Sequence, residues 1–269
     1  MDGMAARATS NRRWIERLAR FGFAARGLVY ILVGVLAAEA AAVGGRATDA
    51  QGAIRAIGQQ QFGTVFLLVL ALGLAAYAVW RFAQAWLDLE GKGTDVQALA
   101  TRASFVVSGL GHAALALSAA SLAIGLHEGR SNAVRTWVTR LLSAPYGRWV
   151  VAAVGLAVIG SGVYQFYKAY TALFENDLLT SEMSADARLW SRRVGRAGLT
   201  ARGVTFGVIG WFLLRAGLDA NAHEARGVAG ALRLLGRQDE GHWLLFVVAV
   251  GLAAYGLSSL VDARYRRIT

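Results

Sequence analysis

Six long apolar stretches follow one another along the 269-residue chain, separated by short polar or basic segments. An α-helix of about 20 apolar residues matches the hydrocarbon thickness of a bilayer, so the pattern predicts six membrane-spanning helices. The approximate bounds of the stretches are 21–43, 62–87, 103–126, 146–174, 197–218 and 243–261. A membrane β-barrel would instead show segments of about ten residues with alternating polarity.

The odd-numbered stretches are copies of one another. "RFGFAARGLVYILVG" at 20–34 aligns without a gap with "RAGLTARGVTFGVIG" at 196–210, and both contain Ala-Arg-Gly. The copy between them, at 102–116, is looser, because Ser108 takes the position of the arginine. Repetition at a regular spacing indicates an architecture built from repeated units.

The even-numbered stretches repeat as well. "FGTVFLLVLALGLAAY" at 62–77 aligns with "EGHWLLFVVAVGLAAY" at 240–255, and the stretch at 146–161 is the weaker middle copy. The offsets between copies nearly agree for the odd and the even stretches. We therefore predict one membrane domain, 1–269, with repeats at about 14–90, 96–175 and 189–265.

A short segment connects the two stretches of each repeat. The three segments, at 52–58, 133–142 and 227–236, are apolar on one side and basic on the other. Such segments are typical of amphipathic helices that lie in the membrane interface. The expected fold is an all-α membrane protein with six transmembrane helices in three repeated pairs, a pseudo-threefold arrangement and three short interfacial helices.

Composition and charge agree with this fold. Apolar residues make up 56% of the chain and charged residues 17%, and there is no cysteine for a disulfide or a thiolate metal site. The net charge of +11 is spread over all loops, which indicates contact with anionic lipid and gives no sign of nucleic-acid binding. Lys and Arg are more numerous on the side of the two termini, so we expect both termini in the cytoplasm.

Two arginines lie inside apolar stretches at equivalent positions of the first and third repeats, Arg26 and Arg202. An arginine at this depth can snorkel to the headgroups or pair with a carboxylate inside the bundle. The best partner is Asp262, beside Arg202 in its own repeat or beside Arg26 across the closing seam. The repeat equivalents of Asp262 are Gln84 and Lys168.

His112 stands in the third stretch, at the position of Tyr30 and Phe206 in the other repeats. An intramembrane histidine can ligate haem or carry protons. No second histidine lies in another apolar stretch, so bis-histidine haem lacks its partner. Packing with a local hydrogen bond is the favoured interpretation.

Histidine and glutamate recur on the side opposite the termini, as His127 with Glu128, His223 with Glu224, and His242 alone. These residue types can bind a metal ion, but their spacing matches no known zinc motif. We expect a polar cap that tethers a connecting helix to a helix end, and no metal.

The repeated Ala-Arg-Gly, the repeated Gly-Leu-Ala-Ala-Tyr and the threefold helix pair together resemble a bacterial family, the domain of unknown function numbered 1206. The resemblance extends from about Arg20 to Asp262, and Ser108 departs from it. It implies six helices in the bacterial cytoplasmic (inner) membrane and supplies no activity.

No nucleotide-binding loop, catalytic triad or zinc-protease motif is present in the sequence, so we expect neither an enzyme nor a bound cofactor. The first hypothesis is a structural, accessory or lipid-interacting protein, in contact with lipid and with a larger membrane complex or further copies of itself. The alternative is a small-solute transporter or channel along the pseudo-threefold axis. Its lining would be Arg26, Ser108, Arg202, Gln84, Lys168 and Asp262.

Overall fold

The computed structural model describes residues 2–43, 48–87, 93, 95–126, 133–236 and 241–268. These residues form nine α-helices, and two short 3₁₀ turns, Leu173–Asp177 and Thr180–Glu182, separate α6 from α7. The helices are α1 (Asp2–Val43), α2 (Ala50–Gly58), α3 (Gly63–Leu87), α4 (Val96–Ala123), α5 (Ala133–Leu142), α6 (Gly147–Thr171), α7 (Ala185–Leu218), α8 (Val228–Leu235) and α9 (Gly241–Tyr265).

Six of these helices are long and apolar enough to cross a membrane, which confirms the predicted all-helical membrane fold. The six are α1, α3, α4, α6, α7 and α9. The three short helices occur where the connecting segments predict them, and each buries apolar residues on one side: Ile54 in α2, Val138 in α5 and Leu232 in α8. Their placement in the membrane interface and the pseudo-threefold arrangement stay predictions.

A glycine begins the second long helix of every repeat, at Gly63, Gly147 and Gly241. A Cβ at any of them would collide with the last turn of the preceding short helix, so only glycine allows the chain to reverse so tightly. The obstructing carbonyl oxygens are those of Ile57, Leu141 and Leu235.

The six long helices pack in one continuous series, in the order α4, α3, α1, α9, α7 and α6. The two ends of this series, α4 and α6, form the middle repeat, and within the described residues they do not pack against each other. Their burial reflects this difference. In α4 and α6, 22% of the most apolar 18-residue stretch is buried inside the protein, against 44–56% of the same stretch in the other four long helices.

In the first and third repeats, the paired helices cross at a glycine facing a tyrosine. A Cβ on Gly22 would lie 2.6 Å from the backbone nitrogen of Tyr77, and a Cβ on Gly198 would lie 2.6 Å from that of Tyr255. The two backbones are therefore in direct contact, as glycine permits in membrane helices. The tyrosine is the last residue of the repeated Gly-Leu-Ala-Ala-Tyr.

One turn away, each of these two pairs has a second close contact between a glycine and an alanine. A Cβ on Gly73 would collide with the Cβ of Ala25, and a Cβ on Gly251 would collide with the Cβ of Ala201. The two pairs thus use the same four repeat positions for their crossing.

The middle repeat has other residues at all four positions, which explains why its pair does not close. Ser104 and Val107 replace the glycine and the alanine of the first helix, and Ala157 and Ser161 replace the glycine and the tyrosine of the second. All four are exposed, and Val107 is 70% exposed where Ala25 is 7% exposed. We call the unpacked region between α4 and α6 the middle opening. We assign its walls from exposure and repeat position, and they are Ser104, Val107, Gly111, Ala157, Gly160 and Ser161.

The seams between successive repeats, by contrast, are all closed. At the end of the bundle where α3, α6 and α9 finish, which we call the terminal end, each seam carries an arginine from the first helix of the next repeat. The arginine donates to the last free carbonyls of the finishing helix, groups that have no partner within the helix itself. Arg20 binds Ala263 and Arg264, Arg102 binds Ala85 and Trp86, and Arg196 binds Tyr170.

The close crossing predicts that adding a methyl group to a helix glycine destabilises the protein at some positions and not at others. Gly198→Ala should lower the free energy of unfolding by about 1–3 kcal/mol, because the new methyl group meets the Tyr255 backbone. Unfolding in detergent micelles, followed by circular dichroism, measures the change. Gly160→Ala is the matched control, since nothing lies within 4 Å of its added Cβ. Equal destabilisation by both variants would contradict the difference between the pairs.

Candidate functional site

Arg26 lies at the centre of a polar network inside the bundle and is 5% exposed. Its Nη1 donates to the Tyr77 hydroxyl at 2.5 Å, and its Nε and Nη2 donate to the Ser259 hydroxyl at 3.1 and 2.9 Å. Nη2 also forms an ion pair with Asp262 at 3.0 Å. The structure therefore places Asp262 against Arg26 across the seam of α1 and α9, the second of the two arrangements expected from the sequence.

Arg202 makes fewer contacts. Its Nη1 donates to the Tyr255 hydroxyl at 2.7 Å, and its guanidinium carbon lies 4.7 Å from the ring centre of Phe206. Its Nε is buried with no hydrogen-bond partner in the described part of the chain. Tyr255 connects the two arginines, because the guanidinium carbon of Arg26 also lies near its ring, 5.4 Å from the ring centre.

Two further arginines share partners with Arg26. Arg81 donates through Nε to the Tyr77 hydroxyl at 2.8 Å, so this hydroxyl accepts from two guanidinium groups. Arg266 lies 3.8 Å from Asp262 and 5.2 Å from the ring centre of Phe23, which Arg26 also contacts. We call Arg26, Arg81, Arg202 and Arg266 the arginine cluster.

Two carboxylates among the described residues contact this cluster. Asp262 pairs with Arg26 and Arg266, and Asp177 lies 3.5 Å from Arg266 with 35% of its side chain exposed. Asp262 therefore lies inside the cluster, and Asp177 lies at its edge.

The predicted positions of the middle repeat lie beside this network. Ser108 is half-buried, and its carbonyl oxygen lies 2.7 Å from Nδ1 of His112. The ring of His112 packs 4.5 Å from that of Tyr77, measured between centres. Because Nδ1 donates to the carbonyl, Nε2 of a neutral ring is an acceptor. His112 thus has the local hydrogen bond that the sequence favours.

Gln84, Lys168 and Asp262 occupy equivalent positions of the three repeats at the terminal end, but their surroundings differ. Gln84 is 1% exposed and accepts from Arg81 at 3.0 Å, while Asp262 pairs with Arg26. Lys168 is half-buried, with its Nζ 5.9 Å from the ring centre of Tyr164. Two of the three equivalents therefore join the network through arginine, and the third adds another cation.

The described residues of the predicted polar cap lie at the opposite end of the bundle. Nε2 of His223 lies 2.8 Å from Nη2 of Arg135, which connects α5 to the turn after α7. His242 packs beside its neighbour Trp243, and the backbone nitrogen of Glu224 donates to Asn221. His127 and Glu128 are outside the described residues. Among the residues that are described, no three His, Asp or Glu side chains come together as a metal site.

Sequence reasoning did not select Tyr77, Tyr255 and Ser259, which hold the two intramembrane arginines. The signal for the tyrosines was present, because both end an identical five-residue motif. Ser259 has no such signal, since its partner Arg26 is 233 residues away in the chain.

The ion pair of Arg26 and Asp262 predicts that neutralising the Asp262 carboxylate lowers the stability of the fold. Asp262→Asn should lower the free energy of unfolding by about 2 kcal/mol, because a charge-assisted hydrogen bond is lost and a buried cation loses its counter-charge. Unfolding in detergent micelles measures this change. Asp219→Asn is the control, since its pair with Arg215 is exposed and should contribute less than about 1 kcal/mol.

A second ion pair, whose carboxylate lies outside the long helices, predicts a pH dependence of stability. Arg192 donates to Glu175 at 2.5 and 2.8 Å, and these hydrogen bonds hold the pKa of Glu175 below its usual range. The pair therefore stabilises the fold at neutral pH, and this contribution is lost as pH falls through the lowered pKa. Glu175→Gln should lower the melting temperature at pH 7 and have a shrinking effect below about pH 4.

Melting curves of both proteins between pH 3 and 7 in non-ionic detergent test this expectation. Glu182→Gln is the control, because Glu182 is exposed on the neighbouring 3₁₀ turn. A constant difference between wild type and Glu175→Gln over the whole range would contradict it.

Comparison with known proteins agrees with the repeats. The family model described as Domain of Unknown Function (DUF1206) matches the chain three times, at residues 21–88, 103–172 and 197–266. The chain is also similar to the uncharacterised protein YxxB of Bacillus subtilis (strain 168), with 33% identity over 256 residues that cover 95% of this chain and 93% of that protein. No solved structure matches the chain. The protein therefore belongs to the DUF1206 family and contains the family's helix-pair unit three times.

Proposed function

We propose that this protein is a lipid-binding accessory protein of the membrane, and that a lipid acyl chain occupies the middle opening. The observation that carries the proposal is the unpacked middle pair. Positions that are buried in the other two pairs are exposed between α4 and α6.

The walls of the middle opening have the chemistry of an acyl-chain site. Each is valine, alanine, glycine or serine, and none carries a charge. Gly111 and Gly160 have nothing within 4 Å of an added Cβ, although their equivalents Val29 and Ala76 are 3% and 6% exposed. Small residues leave a recess that must be filled in a bilayer, since unfilled space forfeits dispersion contacts.

An open surface groove on the seam of α6 and α7 supports contact with lipid headgroups. It has a volume of about 430 Å³ and is lined by Phe166, Ala169, Tyr170, Arg196 and Thr200. Aromatic rings beside an arginine and a hydroxyl are typical of the membrane interface, where the rings face the glycerol region and the cation faces phosphate.

The alternative, a solute pathway along the bundle, needs a continuous polar lining. Beyond the arginine cluster, toward the short helices, the centre is filled by an apolar cluster that includes Val29, Val33, Leu70, Leu245 and Leu252. These side chains are at most 4% exposed. This packing favours a lipid-binding role over a conduit.

The proposal also includes the location. The excess of Lys and Arg on the side of the termini supports a bacterial inner-membrane protein with both termini in the cytoplasm. If the protein instead packs beside a larger membrane complex or a second copy, native mass spectrometry of the purified protein detects the bound partner.

Filling the middle opening with a large side chain tests the proposal. Gly160→Trp should reduce by at least one the number of phospholipids that stay bound during native mass spectrometry of the purified protein. Leu72→Trp is the control, because Leu72 is 66% exposed on a helix of a closed pair. The control should retain as much lipid as the wild type.

Equal lipid retention by both variants and the wild type would overturn the proposal. Loss of a bound protein from the Gly160→Trp complex, without loss of lipid, would assign the opening to a partner helix instead. If the wild type carries a solute into liposomes and Gly160→Trp abolishes this flux, the result would support the transporter alternative.

A further inference from the structure

The surface groove on the seam of α6 and α7 has an aromatic wall and a polar wall. Helix α6 supplies the rings of Phe166 and Tyr170, and α7 supplies Arg196 and Thr200. A Cβ on Gly203 would lie 3.1 Å from the ring of Phe166, so this ring packs against the α7 backbone and closes the inner end of the groove. Nearer the terminal end, Arg196 donates to the carbonyl oxygen of Tyr170 at 3.0 Å, which holds its side chain beside the groove.

The two polar residues of the groove have hydrogen-bonding groups to spare. Arg196 and Thr200 are four residues apart on α7, so their side chains share a face of the helix, and both are exposed. A guanidinium group has five N–H donors, and the Tyr170 carbonyl is the one acceptor that Arg196 binds in the described part of the chain. The remaining donors of Arg196 are therefore available to a ligand in the groove.

The equivalent arginine of the first repeat has more partners. Arg20 donates through Nε and Nη2 to Glu16, one turn earlier on α1, and through Nη1 to two carbonyls of α9. In the third repeat, Arg192 stands at the position of Glu16. Arg192 binds Glu175, a carboxylate on which the charge of Arg196 acts only from beyond contact distance. The seam of α6 and α7 thus has a cation where the first seam has the carboxylate that its arginine binds.

This combination of groups fits the head region of an anionic phospholipid. A guanidinium group forms paired, charge-assisted hydrogen bonds with phosphate oxygens, and a neighbouring hydroxyl can donate another. Aromatic rings beside the cation suit the glycerol and ester region of a lipid. The choline group of a zwitterionic lipid would instead bring a further cation close to Arg196 and Arg192, and like charges repel.

We propose that this groove selectively binds one anionic phospholipid from the leaflet on the side of the termini, with the phosphate held by Arg196 and Thr200. The groove is formed with α7, whereas the middle opening lies between α6 and α4, so the two lipid sites are separate. The inference rests on the proposed lipid-binding function and adds its headgroup selectivity.

Competition between two lipids tests the selectivity. Delipidated full-length protein in non-ionic detergent receives equal amounts of phosphatidylglycerol and phosphatidylcholine with the same acyl chains, and native mass spectrometry counts the lipids that stay bound. The wild type should prefer phosphatidylglycerol about ten-fold for the first bound lipid. Arg196→Gln should remove this preference, because the amide can still donate to the Tyr170 carbonyl but carries no charge.

Arg193→Gln is the matched control for the loss of charge. Arg193 is exposed one turn earlier on α7 and does not line the groove. This variant should keep the preference for phosphatidylglycerol. An equal loss of preference in Arg193→Gln and Arg196→Gln would show that general surface charge attracts the lipid, and it would overturn the groove as the site.

A second variant tests the groove without changing its charge. Thr200→Trp fills the groove from an exposed position, so it should fold, which circular dichroism checks, and it should also lose the preference. Inorganic phosphate, compared with chloride at equal ionic strength, should leave the preference of the wild type unchanged. Specific displacement of phosphatidylglycerol by millimolar phosphate would assign the groove to a soluble phosphate compound and overturn the lipid site.

The groove and the middle opening fail separately. A wild type that binds the two lipids equally, or an unchanged preference in Arg196→Gln or Thr200→Trp, would overturn the groove. If Gly160→Trp still reduces the number of bound phospholipids in that case, the acyl-chain site in the middle opening stands. If Gly160→Trp retains all lipid while Arg196→Gln loses the preference, the groove stands and the middle opening is not a lipid site.

Discussion

The crossing of a glycine against a tyrosine within a helix pair determines most of what distinguishes this molecule. The absent Cβ at Gly22 and Gly198 lets two helix backbones touch at the tyrosine. The tyrosine hydroxyl can then accept a hydrogen bond from an arginine one turn further along the first helix. Such a partner lowers the cost of an arginine in hydrocarbon, so close packing and charge stabilisation depend on the same contact.

The middle repeat shows the effect of losing this contact. Without glycine the backbones cannot approach, and without tyrosine an arginine would have no acceptor. Serine at both positions, and at the arginine position itself, is consistent with a pair that does not close. The same set of substitutions therefore removes a buried charge and leaves the middle opening. The same helix-pair unit is closed in the first and third repeats and open in the middle repeat.

The seams between repeats do not depend on this crossing, which is why the bundle holds together with an open middle pair. Gly27 and Gly256 meet across the seam of α1 and α9, and Gly162 and Gly203 meet in the same way across the seam of α6 and α7. At each seam an arginine binds the carbonyls that end a long helix. These contacts involve successive repeats, so they are unaffected by the loss of packing within one repeat.

Local patterns in the sequence were enough to predict the six spans, the three repeats and the short connecting helices, because apolar length and amphipathic period are local properties of the chain. They also identified Arg26, Arg202 and Asp262 as exceptional, since charges within apolar stretches are visible without coordinates. They left Asp262 with two possible partners, and they marked the middle copy as the weaker one without indicating that its two helices stay apart. The assembled bundle was needed to show that Asp262 pairs with Arg26, that Arg202 lacks a carboxylate among the described residues, and that the middle pair stays open. These outcomes depend on which backbones come within contact distance across the bundle, and that is set by the combined packing of helices that are far apart in the sequence.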